Sequence, residues 1–196
     1  MKNVLMYAAL FCFFASCNSN VTNKELNEIL SNSLIKYDDT GNKQVLNDSY
    51  SFLNKNKDFR NDGLKTEFFL SASGVLMSLE KYDELESVLK RSNDIDSFTK
   101  EKTINNLNFY RFKNKDRLKA KMYLSNNVNM IAEQAKNNPK DTMLYSEYFV
   151  YRTMLVGKEK SLKEVDSMFS DYSQYGEMFK ELIEDYSSDP KSGVNW

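Results

Sequence analysis

The sequence predicts an all-α protein built of short helices joined by tight turns. Three observations carry this reading. Apolar residues recur at three- and four-residue spacing along most of the chain, which is the period of a helix with one buried face. Helix breakers are sparse, with 2 prolines (Pro139 and Pro190) and 6 glycines. Turn-residue clusters at about 8–12 residue spacing, the mark of an all-β chain, are absent.

The elements follow in order. Thr22 and Glu25 stand at capping-box spacing, and Leu26, Ile29, Leu30, Leu34 and Tyr37 form one stripe behind them. Gly41 ends that helix. Val45, Leu46, Tyr50 and Leu53 mark a second, shorter one. Leu64, Phe68, Ala72, Val75, Leu76 and Leu79 define a third. Tyr82, Leu85, Val88 and Leu89 define a fourth after a break at Glu80-Lys81. Ile104, Leu107 and Tyr110 predict a helix. Leu118, Met122, Val128, Ile131 and Ala135 predict a long one ending before Pro139, with Ser125-Asn126-Asn127 as a point where it could break. Leu144, Tyr148, Tyr151 and Leu155 line the next, which Gly157 closes. Ser161 and Glu164 have capping-box spacing again, ahead of Val165, Met168 and Phe169. Met178, Phe179, Leu182, Ile183 and Tyr186 give the last stripe.

The helices fall into pairs around Gly41-Asn42, Glu80-Lys81, Asn114-Lys115 and Gly157-Lys158. These turns recur at intervals of about 35–42 residues, the period of a helical-hairpin repeat. Two stretches, Ser73-x-x-Leu76 leading to Glu80-Lys81-Tyr82-x-x-Leu85-x-x-x-Leu89, and Asn138-Pro139-Lys140-Asp141 leading through Tyr145, Tyr148 and Gly157 to Leu162, resemble tetratricopeptide-type repeats. No unit has a Trp near its start, and Ala is rare where the helices would cross, so the pattern is degenerate. The resemblance implies hairpins stacked as a short solenoid; an irregular helical bundle stays open as the alternative.

The N-terminus has a different character. Lys2 precedes an uncharged apolar run from Val4 to Phe14. That run is too short for a membrane span, which needs about 20 apolar residues, but it has the length of a signal-peptide core. It ends in Phe14-Ala15-Ser16-Cys17, which resembles the lipobox of bacterial lipoproteins. The resemblance implies that residues 1–16 are a signal peptide cut before Cys17, and that Cys17 carries lipid. At about 0.8 kcal/mol per buried CH₂, two or more acyl chains hold a protein stably on a membrane. Residues 17–22 then form a lipidated tether, 23–186 an all-helical domain, and 187–196 a C-terminal tail. The expected location is the cell envelope, on the outer membrane with the domain facing the periplasm. Cys12 would leave with the signal, so the mature chain would hold no intrachain disulfide.

Absences narrow the chemistry. The chain has no histidine, and 27 basic residues nearly balance 28 acidic ones. Ser-His-Asp and Cys-His catalysis and the usual zinc sites are excluded, and no GxxxxGK[ST] or GxGxxG loop is present. Neither a cofactor nor a metal is expected, and nothing in the charge points to nucleic acid. Asp39-Thr40-Gly41 matches the aspartic-protease tripeptide, but it sits at a helix end where Asp and Gly are ordinary. Glu80/Glu84 and Glu177/Glu181 stand four apart on amphipathic helices, the pattern of a solvated face.

Two features point to a partner. Tyr145 and Arg152 flank the core stripe of their helix, on the face that would line a repeat's groove, and Tyr and Arg are favoured interface anchors. Residues 100–121 hold eight cations, among them Arg117 and Lys121, against the acids Glu101 and Asp116, whereas Glu177, Glu181, Glu184 and Asp185 make the last helix acidic. The expected function is therefore a non-catalytic protein–protein interaction module tethered through Cys17, with Tyr145, Arg152, Arg117 and Lys121 as candidate binding residues for a protein or peptide. An immunity-type protein neutralising a periplasmic toxin is the sharper alternative, and a carboxylate-based glycan hydrolase is the rival class.

Overall fold

A computed structural model of the chain describes residues 21–170 and 173–188. The signal-like segment, Cys17 and Trp196 lie outside those residues. The described residues form ten α-helices and one 3₁₀ turn, with no strand among them. The all-α expectation holds, and neighbouring helices pack as hairpins. None of these helices is long and apolar enough to cross a membrane. The chain divides into two compact units, residues 21–81 with 87–94, and residues 82–86 with the described residues from 95 onward.

In the first unit, α1 (Asn23–Thr40) starts on a complete capping box. Thr22 Oγ1 accepts from the Glu25 amide at 3.2 Å, and the Glu25 carboxylate accepts from the Thr22 amide at 2.9 Å. Those bonds hold the Glu25 carboxyl below its usual range. At the other end Gly41 adopts φ 66°, and its N–H reaches Tyr37 O at 2.8 Å. Asn42 then caps α2 (Lys43–Leu53) by accepting from Gln44 N at 3.0 Å. A short α3 (Lys57–Asp62), capped by Asn56, follows where the sequence showed no stripe. Its single buried anchor, Phe59, is too little for a periodic signal.

A 3₁₀ turn, Thr66–Phe68, leads into α4 (Phe69–Ser78). The first unit buries Leu26 and Leu30 of α1, Leu46 and Leu53 of α2, and Phe68, Ala72, Val75 and Leu76 around α4. Helix α1 packs on both α2 and α4. The approach to α4 is close: a Cβ on Gly74 would stand 2.9 Å from Leu34 Cδ1. Glu80, at φ 58°, ends the helical run, and the Lys81 amide turns back to Leu76 O at 2.8 Å. Beyond it, α5 (Tyr82–Arg91) is shared between the two units.

The second unit is a succession of helices packed on one another. Helix α6 (Ser97–Phe112) packs on α7 (Arg117–Asn137), and α7 packs on α8 (Thr142–Val156). Helices α9 (Lys158–Met168) and α10 (Ser173–Ser188) pack on each other and on α8. Val128, Ile131, Tyr148, Phe149, Val165, Phe179 and Ile183 form one core cluster. Phe109, Ala120, Leu124 and Met154 form a second.

One open point closes in favour of a single long helix, and two sequence expectations need correction. Helix α7 runs unbroken through Ser125-Asn126-Asn127, because Asn127 is fully buried and its Nδ2 donates to Lys102 O of α6 at 3.1 Å. Its side chain thus bonds across the hairpin instead of competing for its own backbone. Ser161 caps nothing: α9 begins at Lys158, and Ser161 Oγ donates back to Gly157 O at 3.1 Å from inside the first turn. Finally, Leu118 and Met122 do not belong to the α7 core stripe. The buried positions are Ala120, Leu124, Asn127, Val128, Ile131 and Ala135, and Leu118 is 83% exposed.

Candidate functional site

The exposure of Leu118 follows from the way α7 begins. After α6 ends at Phe112, the Lys115 and Asp116 amides both return to Phe112 O at 2.8 Å, giving a tight turn. Asp116 then caps α7 by accepting from Lys119 N at 3.0 Å. This fixes the rotation of the helix. Ala120 and Leu124 face Phe109 and Met154, so residues two positions before each of them point the other way. Leu118 and Met122 therefore stand outward, at 83% and 49% exposure.

Charge surrounds this apolar pair. Arg117 and Lys121 flank it on the same helix, both exposed. The Lys119 ammonium lies over the Phe112 ring at 4.1 Å and that of Lys113 over Tyr110 at 4.6 Å, so each charge rests on an aromatic face in a cation–π contact. Phe112 stacks in turn on Tyr123, with centroids 6.0 Å apart. Burial pushes the Tyr110 phenol above its ordinary range.

Arg117, Leu118 and Lys121 of α7 meet Met154, Leu155 and Val156 of α8, and Gly157 after it, around an open cleft of about 560 Å³. Met154 is 5% exposed and gives it an apolar floor. The sequence-chosen Arg117 and Lys121 are thus brought together, one turn apart, at the rim of an apolar depression.

Tyr145 and Arg152 are occupied elsewhere. Tyr145 meets Phe169 edge-on at 5.1 Å and Phe179 at 6.0 Å, which makes it part of the core around Phe149. Arg152 Nε donates to Glu164 Oε2 of α9 at 2.7 Å, and the Tyr148 hydroxyl donates to the other oxygen of that carboxylate. Burial, and then this bond to Glu164, raise the Tyr148 phenol above its ordinary range. The cluster clamps α8 to α9.

Part of the basic stretch is also engaged. Lys102 bonds both oxygens of Glu147, at 2.8 and 2.6 Å. Arg111 reaches Asp83 at 2.8 Å, Glu86 at 3.2 Å and Asn108 at 2.8 Å. Leu118 and Met122 are the surface residues that sequence reasoning missed. Their spacing matched a core stripe, and the one available signal was the row of charges at 117, 119 and 121 interleaved with them.

A second, smaller depression of about 200 Å³ lies between α9 and α10, with Asp166, Glu177 and Lys180 on its wall. Asp166 is paired with Lys180 and is 61% exposed. A glycosidase acid needs a dry site that keeps it protonated. An exposed carboxylate beside an ammonium has the opposite environment. No group of three His, Cys, Asp or Glu among the described residues is placed to hold a metal.

Compared with known proteins, the chain matches no family model, no curated protein and no solved structure.

Proposed function

We propose that the protein is a non-catalytic interaction module, held at the cell envelope by lipid on Cys17, that binds a protein partner through the cleft between α7 and α8. The observation that carries this reading is the exposed Leu118, set between Arg117 and Lys121 over the Met154 floor, with the exposed Met122 one turn further along the helix. Isolated exposed apolar residues are ordinary, but an apolar pair beside a concave floor and ringed by one sign of charge is how binding surfaces are built. The cations steer an acidic partner towards the cleft, and burial of Leu118 then supplies affinity. Degenerate tetratricopeptide-type hairpins would serve as the scaffold. The lipobox-like Phe14-Ala15-Ser16-Cys17 supports the anchoring half of the proposal.

A photo-crosslinking residue at Met122, activated in living cells, tests the binding half. A discrete protein adduct is expected, and Leu118→Asp should abolish it. Absence of any adduct, or one indifferent to Leu118→Asp, sinks the reading. Cys17→Ala tests the anchor: lipid labelling should vanish and the protein should leave the membrane fraction.

A further inference from the structure

The partner chemistry demanded by the cleft exists on the chain itself, on α10. Along α7, charges stand at 117 and 121 and apolar residues at 118 and 122. Along α10, charges of the opposite sign stand at Glu177 and Glu181, and apolar residues at Met178 and Leu182. Charge at n and n+4, with an apolar residue at n+1 and n+5, is the same pattern on both helices.

Residues four apart on a helix are neighbours about 5–6 Å from each other. Two helices carrying this pattern can therefore lie together with both charge pairs and both apolar pairs in register. The α10 face is open to it: Glu177 and Glu181 are exposed and Met178 is 39% exposed, while Leu182 is half-buried against the core. Other charges on α10 are already used within the chain. Lys180 is paired with Asp166, and Glu184 with Lys158. The outward charge of that helix is thus carried by Glu177, Glu181 and Asp185.

We infer that the occupant of the α7–α8 cleft is a second copy of this chain, which lays the Glu177–Glu181 face of its α10 against Arg117, Leu118, Lys121 and Met122. The inference rests on the proposal that this cleft is a binding surface. The two faces differ, so the contact is heterologous: each copy uses its basic face on one neighbour and keeps its acidic face for another. Copies tethered to one membrane meet at higher effective concentration than copies in solution, which raises the fraction in contact further.

Charge reversal gives the test. The full chain, purified in a non-ionic detergent, is followed by sedimentation velocity over a concentration series. One variant carries Arg117→Glu and Lys121→Glu, the other Glu177→Lys and Glu181→Lys; circular dichroism checks that each is folded. The wild type should self-associate, more strongly at low salt. Each variant alone should associate about tenfold more weakly or worse, equivalent to about 1.4 kcal/mol.

Mixing the two variants should restore association. The reversed α7 of one then meets the reversed α10 of the other, and the two native faces left over also match. Wild type that stays monomeric, variants that associate like wild type, or a mixture that does not recover each overturn the inference. The crosslink at Met122 separates this failure from that of the broader reading. An adduct to a different protein removes the self-pairing and leaves the binding surface standing. Binding to anionic vesicles through the same cations, without self-association, also overturns it.

Discussion

Replacing Gly63 by alanine tests how the first unit closes. Gly63 sits at φ 88°, ψ −140°, immediately after α3. An added Cβ would lie 2.5 Å from Ser92 Oγ and 2.6 Å from Val88 O. Neither neighbour yields readily. Ser92 is fully buried, its Oγ accepts from Leu64 N at 2.6 Å, and it donates to Val88 O at 2.6 Å. The other contact is backbone. Two costs therefore add. Holding alanine in this region of backbone space costs about 1–3 kcal/mol. Forcing a methyl into a packed contact costs about 1–3 kcal/mol more.

The expected loss is about 2–6 kcal/mol, a large share of a stability of about 5–15 kcal/mol. Gly41→Ala is the matched control. Its φ is 66° but nothing lies within 4 Å of the added Cβ, so the left-handed conformation alone should cost it about 1–2 kcal/mol. Both positions belong to the first unit. Urea unfolding followed by far-ultraviolet circular dichroism, at constant m, gives the difference directly. Ser92→Gly should itself cost stability, because it leaves the buried Leu64 N without its acceptor, but in that background Gly63→Ala should cost less than in the wild type, since the Oγ contact is gone while Val88 O remains. Equal losses for Gly63→Ala and Gly41→Ala would refute the close-contact argument.

Two further expectations follow from local geometry. Thr22→Ala removes a reciprocal cap and should cost about 1 kcal/mol, in the usual range for N-caps. Ser161→Ala removes only a bond back to Gly157 O and should cost less, about 0.5 kcal/mol, near the lower end for a neutral hydrogen bond; urea midpoints rank the two, and the reverse order would mean that Ser161 is the cap after all. The raised phenols of Tyr148 and Tyr151 make stability pH-dependent at the alkaline end. The folded state holds each proton more tightly than the unfolded chain, whose phenols ionise at the ordinary 10.0. Their contribution is thus complete below pH 10.0 and is lost as pH rises past it towards the folded values. Urea unfolding above and below that point should show the loss, and Tyr151→Phe should flatten it; an unchanged slope in Tyr151→Phe would count against burial as the cause.

Most of the helical framework was legible because its signals are local. The Thr22–Glu25 box, the Gly41 end and the Gly157 end are decided within four residues, and each stands where the sequence placed it. Leu26 and Leu30, or Val128 and Ile131, announce burial by spacing alone. The failures came where a distant element decides. Asn127 reads as a breaker until Lys102 O is placed beside it. Tyr145 reads as a surface anchor until Phe169 and Phe179 fold over it. Arg152 reads as available until Glu164 arrives from the next helix.

Leu118 and Met122 show why the site itself was the hardest part to see. An apolar pair four residues apart is what a core stripe requires, and it is equally what an interface requires; periodicity reports that a face is apolar and is silent on what covers it. The rotation of α7 settles the matter within one chain. Asp116 fixes the start of the helix, Ala120 and Leu124 claim the interior, and the pair at 118 and 122 is left outside. Four neighbouring cations stand close to it. Lys113 and Lys119 rest on rings, and Arg117 and Lys121 border an apolar floor. A helix that only had to stay soluble would not need Leu118 at all, so Leu118→Lys should leave folding intact while ending partner capture. Retained capture by that variant would return the pair to the status of incidental surface residues.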